Sequence, residues 1–259
     1  MKSKESKYAQ KNRKISRNCQ KKSQVTLFII AGIVFVIAAG MFFVLVSKKA
    51  SITETDPEIT HITGFVGACL EKVAKPSIEL AGMQGGRIIL PKQYLSTNDF
   101  DVAYGYFLGN VTLASKSEME NELGTHIDSR LMQCIDNFSS FPGREIEFKS
   151  PSTSAEILEH KVIINTIFPV KTKGKKIERF STEVPFAVGR AHSTAEAVIE
   201  NIKEEPDCFD FSYLSNFEGV KVNLVPAGED TLLYFLLDDT NYLFVFASKI
   251  AVKNAKSVN

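Results

Sequence analysis

Thiolates and imidazoles carry most nucleophilic and metal chemistry, so the cysteines and histidines come first. The four cysteines (Cys19, Cys69, Cys134, Cys208) and four histidines (His61, His126, His160, His192) are scattered, with no close pair of the kind that shares one zinc ion. There is no G-x-S-x-G elbow, H-E-x-x-H helix, P-loop or EF-hand loop. The residues therefore point to no catalytic, cofactor or metal site. Cys69 and Cys134 lie on apolar positions of two helical patterns, where either a disulfide stapling the helices or two buried thiols would fit. Glu118, Glu120 and Glu122 alternate, and alternate residues do not converge on one helix face, so they read as solvated surface. Arg190 and His192 stand beside a helix start and could meet an anion, although Ser193 and Glu196 read as a simple capping box there. The run Gly82-Met83-Gln84-Gly85-Gly86 closes a helix, whereas a phosphate cradle opens one. The sequons at Asn110 (Asn110-Val-Thr112) and Asn137 (Asn137-Phe-Ser139) are acceptors for glycans on an outer face.

The element that places all of these is Val25 to Val46, a run with no charge, Pro, Asn or Gln. As a helix it spans the roughly 30 Å hydrocarbon core of a bilayer. Residues 1–23 hold nine Lys and Arg against Glu5, a net +8, which leaves −7 for residues 24–259. Positive flanks stay cytoplasmic, so the expected topology is N-terminus inside and C-terminal domain outside. The basic run abuts the membrane, where anionic headgroups account for it without nucleic acid. Ser47-Lys48-Lys49 follows the apolar run in place of an Ala-x-Ala cleavage site, which favours an uncleaved anchor over a secretory signal. The expected layout is a basic tail or leader (1–23), a transmembrane helix (24–47), a linker (48–58), an extracytoplasmic domain (59–250) and a frayed tail (251–259).

The junction Lys21-Lys22-Ser23-Gln24-Val25-Thr26-Leu27-Phe28 resembles the class III, type IV prepilin-like signals of archaea. There a membrane peptidase cuts before the Gln, which here would be between Ser23 and Gln24, and the helix packs into a filament. Ser23 stands where that family usually has Gly or Ala, and Phe28 where it usually has Glu. The chain is also similar to a group of uncharacterised single-pass membrane proteins of small archaea. The shared features are Gln24 to Ile33, Cys69-Leu70-Glu71, Gly82 to Gly86 and Cys134-Ile135. The resemblance covers about the N-terminal half and implies topology more than activity.

Past the linker, Ile59, Ile62, Val66, Cys69, Val73, Ile78 and Ala81 have the spacing of one helix face, kinked or ended near Pro76. Gly85-Gly86 turns into an expected strand, Arg87 to Leu90. Tyr94 to Leu113 has no clean period and reads as a long ordered loop with a short hairpin. Its aromatics Tyr94, Phe100, Tyr104, Tyr106 and Phe107 either form a partner surface or fold back over the sheet. Ser117 and Glu120 look like a capping box for a helix whose inner stripe is Met119, Leu123, Ile127, Leu131, Cys134, Ile135 and Phe138. Alternating strands follow between Glu145 and Val188, with Lys173-Gly174-Lys175 as a hairpin turn, then a helix from Gly189 to Glu205. Three last strands run over Val220–Val225, Thr231–Leu237 and Tyr242–Ile250.

The fold class is α+β, an N-terminal transmembrane helix followed by amphipathic helices packed on antiparallel sheet. The expected function is a cell-surface structural or interaction protein held in the cell membrane. Its partners would be the lipid bilayer and other membrane or surface proteins, with no cofactor. The alternatives are a pilin-like subunit and a tethered enzyme whose site assembles from distant residues.

Overall fold

The computed structural model describes residues 57–204 and 211–250. The leader, the expected membrane helix, most of the linker and the tail lie outside the described residues, as do Cys19, Ser23, Gln24 and Cys208. The chain divides into two units, Met1–Asp56 and Pro57–Asn259, and the second is described below. Among the described residues no helix is long and apolar enough to cross a membrane.

Helix α1 runs Pro57–Met83 and buries Ile62, Val66, Cys69, Leu70, Ala74, Ile78 and Ala81, the stripe that three-and-four spacing requires. Pro76 does not end it. In the turn where Pro76 supplies no N–H, the Ser77 hydroxyl donates to the Val73 carbonyl (2.7 Å). The helix stops where Gly85 and Gly86 adopt φ of +72° and +83°, and Gly86 N–H closes back on the Ala81 carbonyl at 2.8 Å. The expected strand at Arg87–Leu90 does not form. Its donors are already taken, because the Glu122 carboxylate accepts from the backbone of Ile88 (2.7 Å) and Ile89 (3.2 Å).

The stretch from Tyr94 is strand, not loop: β1 is Tyr94–Ser96, β2 Asp101–Phe107 and β3 Asn110–Val111. Every interior residue of β2 is buried, which explains the missing period, since a strand covered on both faces does not alternate. Helix α2, Lys116–Ile135, buries Met119, Leu123, Ile127, Leu131 and Ile135. Its capping box is Ser115 with Glu118, two residues before the pair that the sequence suggests.

Strands β4 (Ile146–Phe148), β5 (Ser152–Ile157), β6 (Val162–Thr172) and β7 (Lys175–Val184) form an antiparallel sheet around β6, with β7 on one side and β4 and β5 on the other. The two-residue turn Lys173-Gly174 has positive φ at both positions, as a tight hairpin needs. Helix α2 lies against the free edge of β5. A Cβ at Gly124 would fall 2.5 Å from the Thr153 carbonyl oxygen, and Glu120 accepts the Ile157 N–H at 2.8 Å. The edge is thereby closed to other chains.

Helix α3, Val188–Glu204, starts one residue before the expected Gly189, so Ser193, read as part of a capping box, lies inside the helix and not at its start. After the short α4 (Phe211–Leu214) come β8 (Val220–Pro226), β9 (Thr231–Asp238) and β10 (Leu243–Lys249). They join the early strands in the order β1-β2-β10-β9-β8, with β3 beside β2. The β2–β10 pair is parallel, and all its described neighbours are antiparallel. The register steps from Tyr104↔Ala247 to Tyr106↔Ser248, so Gly105 is a bulge residue that turns Tyr106 toward the helices. The inner faces of both sheets and helices α1, α2 and α3 share one core. A smaller cluster of Val102, Tyr104, Leu233, Val245 and Ala247 covers the other face of the larger sheet.

Candidate functional site

Cys69 and Cys134 are joined as a disulfide across α1 and α2, with Cα atoms 5.7 Å apart. Beside it, Lys72, Pro76, Leu80, His126, Arg130 and Gln133 line an open groove of about 550 Å³. Burial first, and then the Arg130 charge, push the His126 imidazole below its ordinary range. His126 Nε2 accepts from Arg130 Nε at 3.4 Å, and Arg130 also donates to Gln133 at 3.1 Å.

The five aromatics proposed from sequence do not share one exposed loop. Tyr106 is in the main core and Tyr104 in the smaller cluster, while Phe100 and Phe107 pack over that cluster half-buried. Phe100 meets Phe235 edge-on with centroids 6.4 Å apart, and Tyr104 meets Phe107 at 4.9 Å. Tyr94 alone of the five is well exposed, at 42 %. Three of them, Phe100, Tyr104 and Phe107, thus cover the sheet, for the elementary reason that its outer face is apolar, while Tyr106 enters the main core.

Of the acids of α2, Glu120 and Glu122 are ties between segments, while Glu118 is exposed as expected and still reaches Arg87. Arg87 bridges Glu122 (2.9 Å) and Glu118 (3.1 Å), and Glu120 and Glu122 accept the backbone bonds described above. The Glu118 carboxyl is held below its usual range, first by the Ser115 backbone N–H and then by the Ser115 hydroxyl. Glu118 and Glu122, four apart on one face, meet the same segment through Arg87, and Glu120 reaches Ile157 instead; local spacing does not name those distant segments. Asn110 and Asn137 are both exposed.

At the start of α3 the anion reading fails on its own donors. Gly189 N–H and Arg190 N–H already bond the Leu158 and Glu159 carbonyls (3.2 and 3.3 Å). The Arg190 guanidinium donates to Asp239 (3.2 Å) and contacts His160 Nδ1 (2.7 Å), while buried His192 holds the Ala114 carbonyl through Nε2 (2.7 Å). These residues strap α3 to the loops around it.

A feature that sequence reasoning missed lies along β8. A groove of about 700 Å³ runs beside its first half, walled by Leu214, Ser215 and Phe217 and ended by Asp238, Asp239 and Asn241. Asp238 is 4 % exposed. Its Oδ1 accepts from Thr240 N–H (2.8 Å), the Thr240 hydroxyl (2.7 Å) and Tyr242 N–H (2.9 Å). Its Oδ2 is buried without a hydrogen-bond partner among the described residues. The run Asp238-Asp239-Thr240-Asn241 reads in sequence only as a turn.

Among the described residues no three His, Cys, Asp or Glu side chains gather to hold a metal ion. No protein-family model matches the chain, and no curated protein or solved structure matches it either.

Proposed function

We propose that the chain is a membrane-tethered structural or interaction module whose folded unit lies on the extracytoplasmic side. The observation that carries this is the uncharged run Val25–Val46 next to a +8 flank. The Cys69–Cys134 bond supports the same side, because such bonds persist in oxidising compartments. The arrangement of the folded unit supports binding over catalysis. Among the described residues, side chains such as Glu120, Glu122 and His192 tie backbone segments together, and no groove described above brings a nucleophile to a base.

The test is impermeant-maleimide labelling of intact cells bearing the full chain with Ser3→Cys or Ser257→Cys. Labelling at 257 from outside, and at 3 only after permeabilisation, is expected. The opposite pattern overturns the topology. A pilin-like role rests on the Ser23-Gln24 junction alone, and the mature N-terminus decides it. A chain starting at Gln24 would place the protein in a filament system, and an intact leader removes that reading.

A further inference from the structure

Among the described residues the outer edge of β8 is the one long unpaired strand edge of the larger sheet, and its pairing register fixes which backbone groups face outward. Asp239 N–H donates to the Gly219 carbonyl (3.2 Å) and Ala227 N–H to the Thr231 carbonyl (2.9 Å). Residues 219 and 227 therefore point their backbone bonds toward β9. Alternation then turns Lys221, Asn223 and Val225 the same way. Val220, Val222 and Leu224 face the other way. Val220 N–H is already taken by the Phe217 carbonyl (3.5 Å). Val222 and Leu224 are left with two N–H and two C=O groups, directed away from the sheet, without a backbone partner among the described residues. Pro226 ends the ladder, having no N–H to give.

We propose that this edge takes an extended segment of another polypeptide as an added strand, with an apolar residue and a Lys or Arg among its side chains. The inference rests on the interaction-module reading and names its partner class. Strand addition needs unpaired edge groups for affinity and pockets for alternate side chains for specificity, and both are present. The wall of Leu214 and Phe217 offers an apolar slot beside Val220 and Val222. The groove ends in two carboxylates; Lys221 is the single cation among its lining residues and Arg190 already bridges Asp239 (3.2 Å), so the carboxylate oxygen left without a partner is Asp238 Oδ2. That unbonded oxygen, with the exposed side of Asp239 that Arg190 leaves open, is the complement that a basic side chain meets. The partly buried Val222 and Leu224 side chains hold the strand against the core, so the edge is presented ready-formed. The opposite edge of the sheet offers no such site, because β1 and β3 are only three and two residues long.

The experiment uses the full chain in detergent micelles and fluorescent decapeptides of alternating Val with Lys, Ser or Glu, read by anisotropy. The Val-Lys peptide is expected to bind saturably, and the Val-Glu peptide at least tenfold more weakly. Methylating alternate amides of the Val-Lys peptide leaves one edge able to pair and is tolerated in one of the two frames. Methylating every amide abolishes binding. Leu224→Pro, which deletes one outward N–H, should weaken binding at least tenfold. If that variant does not fold, Asp239→Asn is read in its place and should narrow the Lys-over-Ser preference severalfold. No saturable binding, equal binding of the fully methylated peptide, or indifference to charge would overturn the proposal. So would a chain that self-associates through β8, seen as dimers in sedimentation that the peptide does not displace, since the edge would then belong to a second copy. The maleimide topology experiment is independent of all these outcomes, so a failed peptide test leaves the tethered reading standing.

Discussion

Two buried tyrosines place the limits of this fold at alkaline pH. Burial raises the Tyr234 phenol to about 12, with Ser248 acting against it, and raises Tyr242 further. An unfolded tyrosine ionises near its ordinary 10, so between pH 10 and about 12 the unfolded chain releases protons that the folded chain keeps. The contribution is intact below pH 10 and is lost as pH rises through the folded value, on the order of 2 kcal/mol for Tyr234 by pH 12. Tyr234→Phe should leave neutral-pH stability within about 1 kcal/mol and shift the alkaline unfolding midpoint upward, as followed by circular dichroism. An unchanged midpoint would mean that the phenol is already exposed. Gly124 is a second point of leverage. Ala there puts a methyl into the Thr153 carbonyl, which is backbone and cannot rotate away. Loss of about 1–3 kcal/mol is expected in urea denaturation, because α2 must lift from β5.

At the scale of elements, α1 and α2 are held by packing and by one covalent tie. The bonded cysteines are 65 residues apart, and closing a loop of that length restricts the unfolded chain. Reduction should lower stability by about 2–4 kcal/mol in paired urea titrations with and without dithiothreitol. Identical midpoints would show that the helix interface alone holds the pair. Both helices were legible because Ile62, Val66 and Leu70, and Met119, Leu123 and Ile127, repeat with the helical period that burial on one side imposes. The later strands were legible for the matching reason, β6 alternating buried and open positions over most of its length. Strand β2 was not, because burial on both faces erases the alternation that marks a strand. Glu122 was misread for a different cause. The value of an acid depends on Arg87 and on the Ile88 and Ile89 amides, about thirty residues away, and no local pattern encodes that meeting. The β8 groove depends likewise on register, which exists only once β9 is in place.

For the whole molecule, the consequential feature is the parallel pairing of β2 with β10. Residues 108–242, the larger part of the folded unit, lie between them in sequence, and β10 also separates β2 from β9. The larger sheet therefore stays divided until its last strand arrives. A chain cut after Thr240 should keep α1 and α2 joined by their disulfide yet expose β2, giving rapid proteolysis between 94 and 113, detectable by mass spectrometry. Protection of that segment would refute the dependence. The intact chain should also refold slowly for its size, since the entropy of the largest loop is spent before its contacts form. In a cell this becomes a matter of timing. A domain delivered N-terminus first across a membrane would emerge with the apolar faces of β2 uncovered for as long as the remaining residues take to follow, so its biogenesis would be guarded by whatever shields half-finished sheets on the far side.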